Sequence, residues 1–149
     1  MVGTVAVCLC LAAATVEDIR TREVSDLVWW IMAPACLLLI PSSGSALTLW
    51  DFLECLYAIF IQEHIMSRFY GRADSHAFSC CVVFMTFCGL GLEGHIIHMS
   101  LSLLYLTVHQ LLLRNIGSHG ELKIKVPFIP YIFISGLHVY IIYVLISHV

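Results

Sequence analysis

Six apolar stretches separated by short polar gaps leave this chain little scope to fold in water. They run from about Val2 to Val16, Leu27 to Ile40, Leu47 to Met66, Ala77 to Leu92, His95 to Leu113 and Val126 to Val149. A bilayer core about 30 Å thick asks for roughly 20 apolar residues per helix. The 149 residues therefore supply six spans with short loops and leave no separate soluble part. Only 11% of residues are charged and 60% are hydrophobic. Water-soluble domains carry about 25% charged residues. The expectation is an all-α integral membrane protein of about six transmembrane helices, forming a single domain over residues 1–149. The first stretch lacks the basic flank and small-residue cleavage site of a signal peptide, so it reads as a retained helix.

The cations give an independent register. Arg20, Arg22, Arg68, Arg72, Arg114, Lys123 and Lys125 are all the basic residues present. They fall in the gaps after the first, third and fifth stretches, and the alternate gaps hold none. Short cytoplasmic loops collect lysine and arginine. This pattern predicts a multi-pass protein of the cell membrane with both termini outside, and it puts Asp18 and Asp74 on the cytoplasmic side. The net charge of −3 offers no basic surface for nucleic acid.

Asp18 closes the first stretch and Asp74 opens the fourth. Two carboxyl groups that share one proton can act as base and acid together, because like charges push their pKa values apart. Such a pair can take a proton from an attacking water and return one to a leaving nitrogen. Gly71 and Ala73 are small enough for a substrate backbone to come close to Asp74. The plainer alternative makes both acids interfacial residues, with Asp18 paired to Arg20 or Arg22.

Two segments carry a resemblance. Glu17-Asp18-Ile19-Arg20-Thr21-Arg22-Glu23-Val24-Ser25-Asp26 resembles the first-aspartate segment of the type IV prepilin peptidase and preflagellin peptidase family. There an Asp is followed by a basic residue, then a β-branched residue with Pro or Ser and Asn or Asp behind it. Gly71-Arg72-Ala73-Asp74 is similar to the Gly-x-Gly-Asp motif of the same group, which also includes presenilin. The stretch Lys125-Val126-Pro127-Phe128-Ile129-Pro130-Tyr131 also looks like the family pattern at the start of the last span. The resemblance covers essentially the whole chain. It implies that Asp18 and Asp74 are a catalytic pair, that no metal or organic cofactor is needed, and that the partner is a pilin-like precursor in the lipid bilayer. Family members remove a short, often basic leader on the cytoplasmic side, commonly after a glycine. The chain has no room for the cysteine-bearing segment of the larger, methylating members, so it resembles the short peptidase-only form. Ala73 stands where the motif has its second glycine, and His76 stands where many members have lysine. Arg72 fills the free position.

Other polar residues admit simpler readings. His95 and His98, three apart on a helix, read as interfacial residues on the face opposite the aspartates; a metal half-site is the alternative. Glu63 reads as a snorkelling interfacial acid, with a place bordering the aspartate pair as the alternative, and Glu63-His64 does not form a zinc-protease motif. His109 and His138 read as partners in hydrogen bonds between helices. Glu17, Glu23 and Asp26 either attract a basic leader or pair with Arg20 and Arg22. The seven cysteines contain no Cys-x-x-Cys and read as small buried residues, with Cys80-Cys81 as a weaker redox alternative. The expected function is a membrane aspartyl endopeptidase. The competing expectation is a non-enzymatic multi-pass protein, either a transporter or an assembly partner, or a catalytically degenerate relative. Asp51, Glu54 and Glu93 on the outer side keep that alternative open.

Overall fold

The computed structural model of the chain describes residues 2–39, 47–116 and 126–147. The turn 41–45 and most of the loop from Arg114 to Lys125, including Lys123 and Lys125, lie outside the described residues. Among the described residues all regular structure is helical. The order is α1 (Val2–Thr21), α2 (Asp26–Leu37), α3 (Leu49–Ile61), a π turn (Gln62–Met66), α4 (Ser67–Tyr70), α5 (Arg72–Phe87), α6 (Gly91–Ile116) and α7 (Ile129–Ser147).

Helix ends depart from the apolar boundaries where local chemistry extends or stops the backbone. Helix α1 continues past Val16 to Thr21, so Glu17 and Asp18 are helical. Arg22, with φ 62°, ends it. The Glu17 carboxylate then accepts from the backbone N–H of Ser25 at 2.8 Å and from its hydroxyl at 3.4 Å. This bond holds the start of α2 against the end of α1. It differs from both expectations for Glu17, and among the described residues neither Glu23 nor Asp26 forms an ion pair with Arg20 or Arg22. Helix α3 starts at a reciprocal cap. Asp51 accepts from the Thr48 N–H at 2.8 Å, and the Thr48 hydroxyl accepts from the Asp51 N–H at 3.2 Å.

Helix α5 stops at Gly89, whose φ of 82° favours glycine. Leu90 N–H reaches back to the Met85 carbonyl at 2.9 Å, and Gly89 N–H reaches Thr86 at 3.1 Å. This pair of bonds is the Schellman pattern. Helix α6 begins at once with Gly91, so Glu93 and Gly94 belong to its first turn and not to the preceding loop.

Helix α5 is the centre of the bundle and touches α1, α2, α3, α6 and α7. Ala77, Phe78 and Met85 on it are fully buried. The Phe78 ring meets Tyr70, His98 and Phe128 at 5.3, 5.5 and 5.6 Å between centroids. Helices α6 and α7 are joined by polar contacts. Ser102 and Ser135 hydroxyls lie 2.6 Å apart, Tyr105 bonds His138 at 2.8 Å, and His109 bonds Tyr131. His109 and His138 thus make the interhelical bonds expected of them.

Helices α1, α7 and residues 91–114 of α6 are long and apolar enough to cross a membrane. Their outward side chains suit lipid: Leu9, Leu112 and Leu145 are all exposed, as are Trp30 and Phe52. An exposed apolar surface of this extent marks contact with lipid or partners. Helix α2, with 12 residues, spans about 18 Å. Alone it is shorter than a bilayer core. Close approach compensates at its end: a Cβ on Gly3 of α1 would stand 2.5 Å from the Leu38 carbonyl carbon and oxygen.

Truncating the hub should show how strongly the bundle depends on it. Phe78→Ala is expected to cost about 3–5 kcal/mol, read as a clear fall in the thermal midpoint in detergent. A midpoint unchanged from wild type would show that α5 is not the packing centre.

Candidate active site

Asp74 sits in the first turn of α5, ahead of the apolar stretch from Ala77. Gly71 separates α4 from α5 with φ 110° and ψ 161°. That φ strains any side chain, which gives this glycine a backbone reason in addition to its small size. The Asp74 carboxyl folds back over it: a Cβ at Gly71 would stand 3.6 Å from Asp74 Oδ2. The break also keeps α4 and α5 bonded in sequence. Gly71 N–H donates to Ser67, and Ser75 N–H donates to the Gly71 carbonyl. Ala73 packs half-buried against the core, and Arg72 projects outward.

Asp18 lies in the last turn of α1 and is 8% exposed. Its Oδ2 accepts from the backbone N–H of Ile129 at 3.1 Å. Ile129 opens α7, and the first amides of a helix have no partner within it. Asp18 satisfies one of them from another helix, with the favourable charge for that end of the helix dipole. It is not paired with Arg20. Arg22 exerts only a field on it.

The two aspartates meet electrostatically. Burial, followed by the negative charge of Asp18, pushes the Asp74 carboxyl up to about 7. Asp74 receives no hydrogen bond among the described residues, so nothing offsets these two effects. Burial raises the Asp18 carboxyl as well, opposed by the Ile129 amide, the Arg22 charge and the Phe128 amide. Macroscopic titration steps belong to the pair as a whole. Tyr70, next to Gly71, is also pushed well above the usual phenol range by burial and by the charges of Asp74 and Glu63. It keeps its proton.

A second polar cluster lies on another side of α5. Two residues along a helix turn the side chain by about 200°, so His76 leaves α5 on a different face from Asp74. Its Nδ1 is 3.0 and 2.9 Å from the two Glu63 oxygens, and the Ser79 hydroxyl donates to Glu63 at 2.6 Å. The Trp29 ring meets the imidazole edge-on at 5.6 Å. Glu63 is therefore tethered to α5, which corrects the reading of it as a snorkelling interfacial acid. His76 and Ser79 are three apart on one helix face, and that spacing is the one sequence sign of this contact.

His95 and His98 also need correcting. They are 3% and 0% exposed and are not interfacial residues. His98 Nε2 donates to the Ile132 carbonyl at 2.8 Å, and His95 Nε2 lies 3.1 Å from Gln62 Nε2. The charge pattern placed them on the face opposite the aspartates, but packing turns them inward onto Phe78. Gln62 was missed entirely. A buried glutamine within an apolar stretch was the available signal. Among the described residues no three His, Cys, Asp or Glu side chains converge as a metal cage. All seven cysteines are free thiols.

Asp51, Glu54 and Glu93 line a separate open cavity of about 570 Å³, together with Thr86, Gly89 and Tyr143. It lies at the opposite end of α5 from Asp74, with buried Phe78, Val82 and Met85 between.

The raised Asp74 pKa fixes the sign of a stability test. Below the ordinary carboxylate value the group is protonated both folded and unfolded, and it costs nothing. As pH rises from about 4 through 7 the folded state resists ionisation, so stability falls. Asp74→Asn should therefore unfold at a higher temperature than wild type at pH 8, with the gain shrinking towards pH 4. An equal difference at both pH values would remove the claim that Asp74 is held protonated.

Comparison with protein-family models, with characterised proteins and with solved structures finds no match to this chain.

Proposed function

We propose that this protein is a membrane aspartyl endopeptidase of the prepilin peptidase type. The reading is supported by the placement of Asp18 at the end of α1 and Asp74 at the start of α5, within electrostatic reach of each other, with burial and the Asp18 charge raising the Asp74 carboxyl. That arrangement supplies a base and an acid at the same pH. In this reading Asp18, ionised and anchored to the α7 amide, takes a proton from water. Asp74 protonates the scissile carbonyl oxygen and then, after proton exchange within the pair, the leaving nitrogen.

The topology belongs to the same proposal. The six apolar stretches cross the cell membrane, both termini face outside, and the two aspartates lie at the cytoplasmic face. The substrate is a pilin-like precursor whose apolar helix lies in the lipid beside the bundle, with its leader junction above Gly71 and Ala73. Arg72 flanks that junction. His76, tied to Glu63, takes the place of the family lysine without reproducing a free ammonium.

A second reading rests on the outer cavity. Asp51, Glu54 and Glu93 at one end of α5 and the aspartates at the other are the acids that a small transporter or assembly partner would use. This reading predicts no processing of any precursor.

Co-expression with pilin-like precursors separates the two. Wild-type protein should shorten a precursor by its leader, seen by intact-mass measurement. Asp18→Asn and Asp74→Asn should each lower cleavage by at least about a thousandfold, at unchanged protein level. Failure of the wild type on several precursors that a prepilin peptidase processes in the same cells would leave the non-enzymatic or degenerate reading.

A further inference from the structure

Gln62 reaches both sides of Gly71. It is 2% exposed and opens the π turn. Its Oε1 accepts from the Tyr70 hydroxyl. Its Nε2 lies 3.1 Å from His95 Nε2 and 3.0 Å from Met99 Sδ. Its main-chain carbonyl accepts both the Ser67 N–H of the π turn and the Ser75 hydroxyl. Tyr70 immediately precedes Gly71, and Ser75 immediately follows Asp74.

The direction of these bonds follows from the groups themselves. A thioether sulfur only accepts, so the amide nitrogen must face Met99. The same nitrogen faces His95, which then accepts through Nε2. The amide oxygen is left for Tyr70, whose hydroxyl donates. Gln62 thus holds the Tyr70 hydroxyl with its oxygen while its nitrogen is fixed by His95 and Met99. π turns widen the backbone locally and occur often at functional sites.

The groups around Asp74 show why this matters. Asp18 acts on it from α1, with Arg22 behind Asp18 and Tyr131 of α7 in the field of Arg22. Tyr70 feels Asp74 from α4 and Glu63 from the π turn. The Glu63 carboxylate is already engaged by His76 and Ser79. The Tyr131 hydroxyl is taken up by His109, and of the two phenols it is Tyr70 that feels the Asp74 charge, so Tyr70 is the neutral donor available to Asp74.

We propose that Gln62 is a positioning residue for Asp74: it holds the Tyr70 hydroxyl off the carboxylate pair and braces the first turn of α5 through Ser75. The inference rests on the reading of Asp18 and Asp74 as a proton-sharing pair. It goes beyond that reading by assigning the proton balance to a buried amide outside both motifs.

The test reads Asp74 directly and needs no substrate. A hydrophobic carbodiimide labels protonated carboxyl groups, and mass spectrometry of the full-length protein in detergent locates the adduct. Labelling of Asp74 is followed against pH. In Gln62→Met the freed hydroxyl turns to the carboxylate, and donation to the charged form favours it. The labelling midpoint should fall by about one pH unit. Tyr70→Phe, which removes the donor, should leave the midpoint at the wild-type value, and the double variant should return to it. A midpoint unmoved in Gln62→Met overturns the proposal. So does a midpoint raised in Tyr70→Phe, because the hydroxyl would then donate to Asp74 in the native protein. If Gln62→Met does not fold, Tyr70→Phe decides: an unchanged midpoint supports the proposal and a raised one overturns it. Cleavage measured alongside keeps the two readings apart. An inactive wild type would sink the peptidase assignment while the labelling still decides the role of Gln62.

Discussion

The bond from the Ile129 amide to the Asp18 carboxylate ties the first helix to the last. It joins residues 111 apart in the chain. A helix start must find acceptors for its first amides, and in an apolar bundle water is a poor source of them. Asp18 meets that need from the end of α1. In doing so its carboxyl is held buried, within electrostatic reach of Asp74 at the start of α5. The acid therefore has a structural role that exists whether or not it takes part in chemistry. That double duty makes the position sensitive, since losing the carboxylate leaves a buried amide without a partner.

Around this bond the site is assembled from helix ends. Helix α1 ends at Arg22, α4 ends at Gly71, α5 starts there, and α7 starts at Ile129. Helix ends are where unpaired amides and carbonyls gather, so charge is cheapest to place there. The middles of the same helices are filled by Phe78, Met85 and their neighbours. The polar residues that do lie within the core, Gln62, His95 and His98, bond to partners on other helices and cross-link the bundle. In lipid the hydrophobic effect does not hold helices together, and such contacts with close packing take its place.

The bundle also separates two polar regions. The aspartates with Glu63 and His76 lie towards the start of α5, and Asp51, Glu54 and Glu93 lie round the cavity at its other end. Buried Phe78, Val82 and Met85 fill the space between them.

The sequence by itself determined the helical class, the apolar segmentation, the two aspartates at segment ends and the glycine before Asp74. Each follows from local physics: the length an apolar helix needs, where charge is tolerated, and which residue accepts a positive φ. Only the tertiary structure decided that Asp18 lies within the electrostatic reach of Asp74, that Asp18 accepts from the Ile129 amide, and that Glu63 reaches His76. It also turned His95 and His98 into the core and put Gln62 beneath the site. Local signals for these are at most faint, such as the His76–Ser79 spacing and a glutamine within an apolar stretch, because each depends on which face of one helix packs against another. In a chain whose helices are apolar on every side, periodicity does not mark that face.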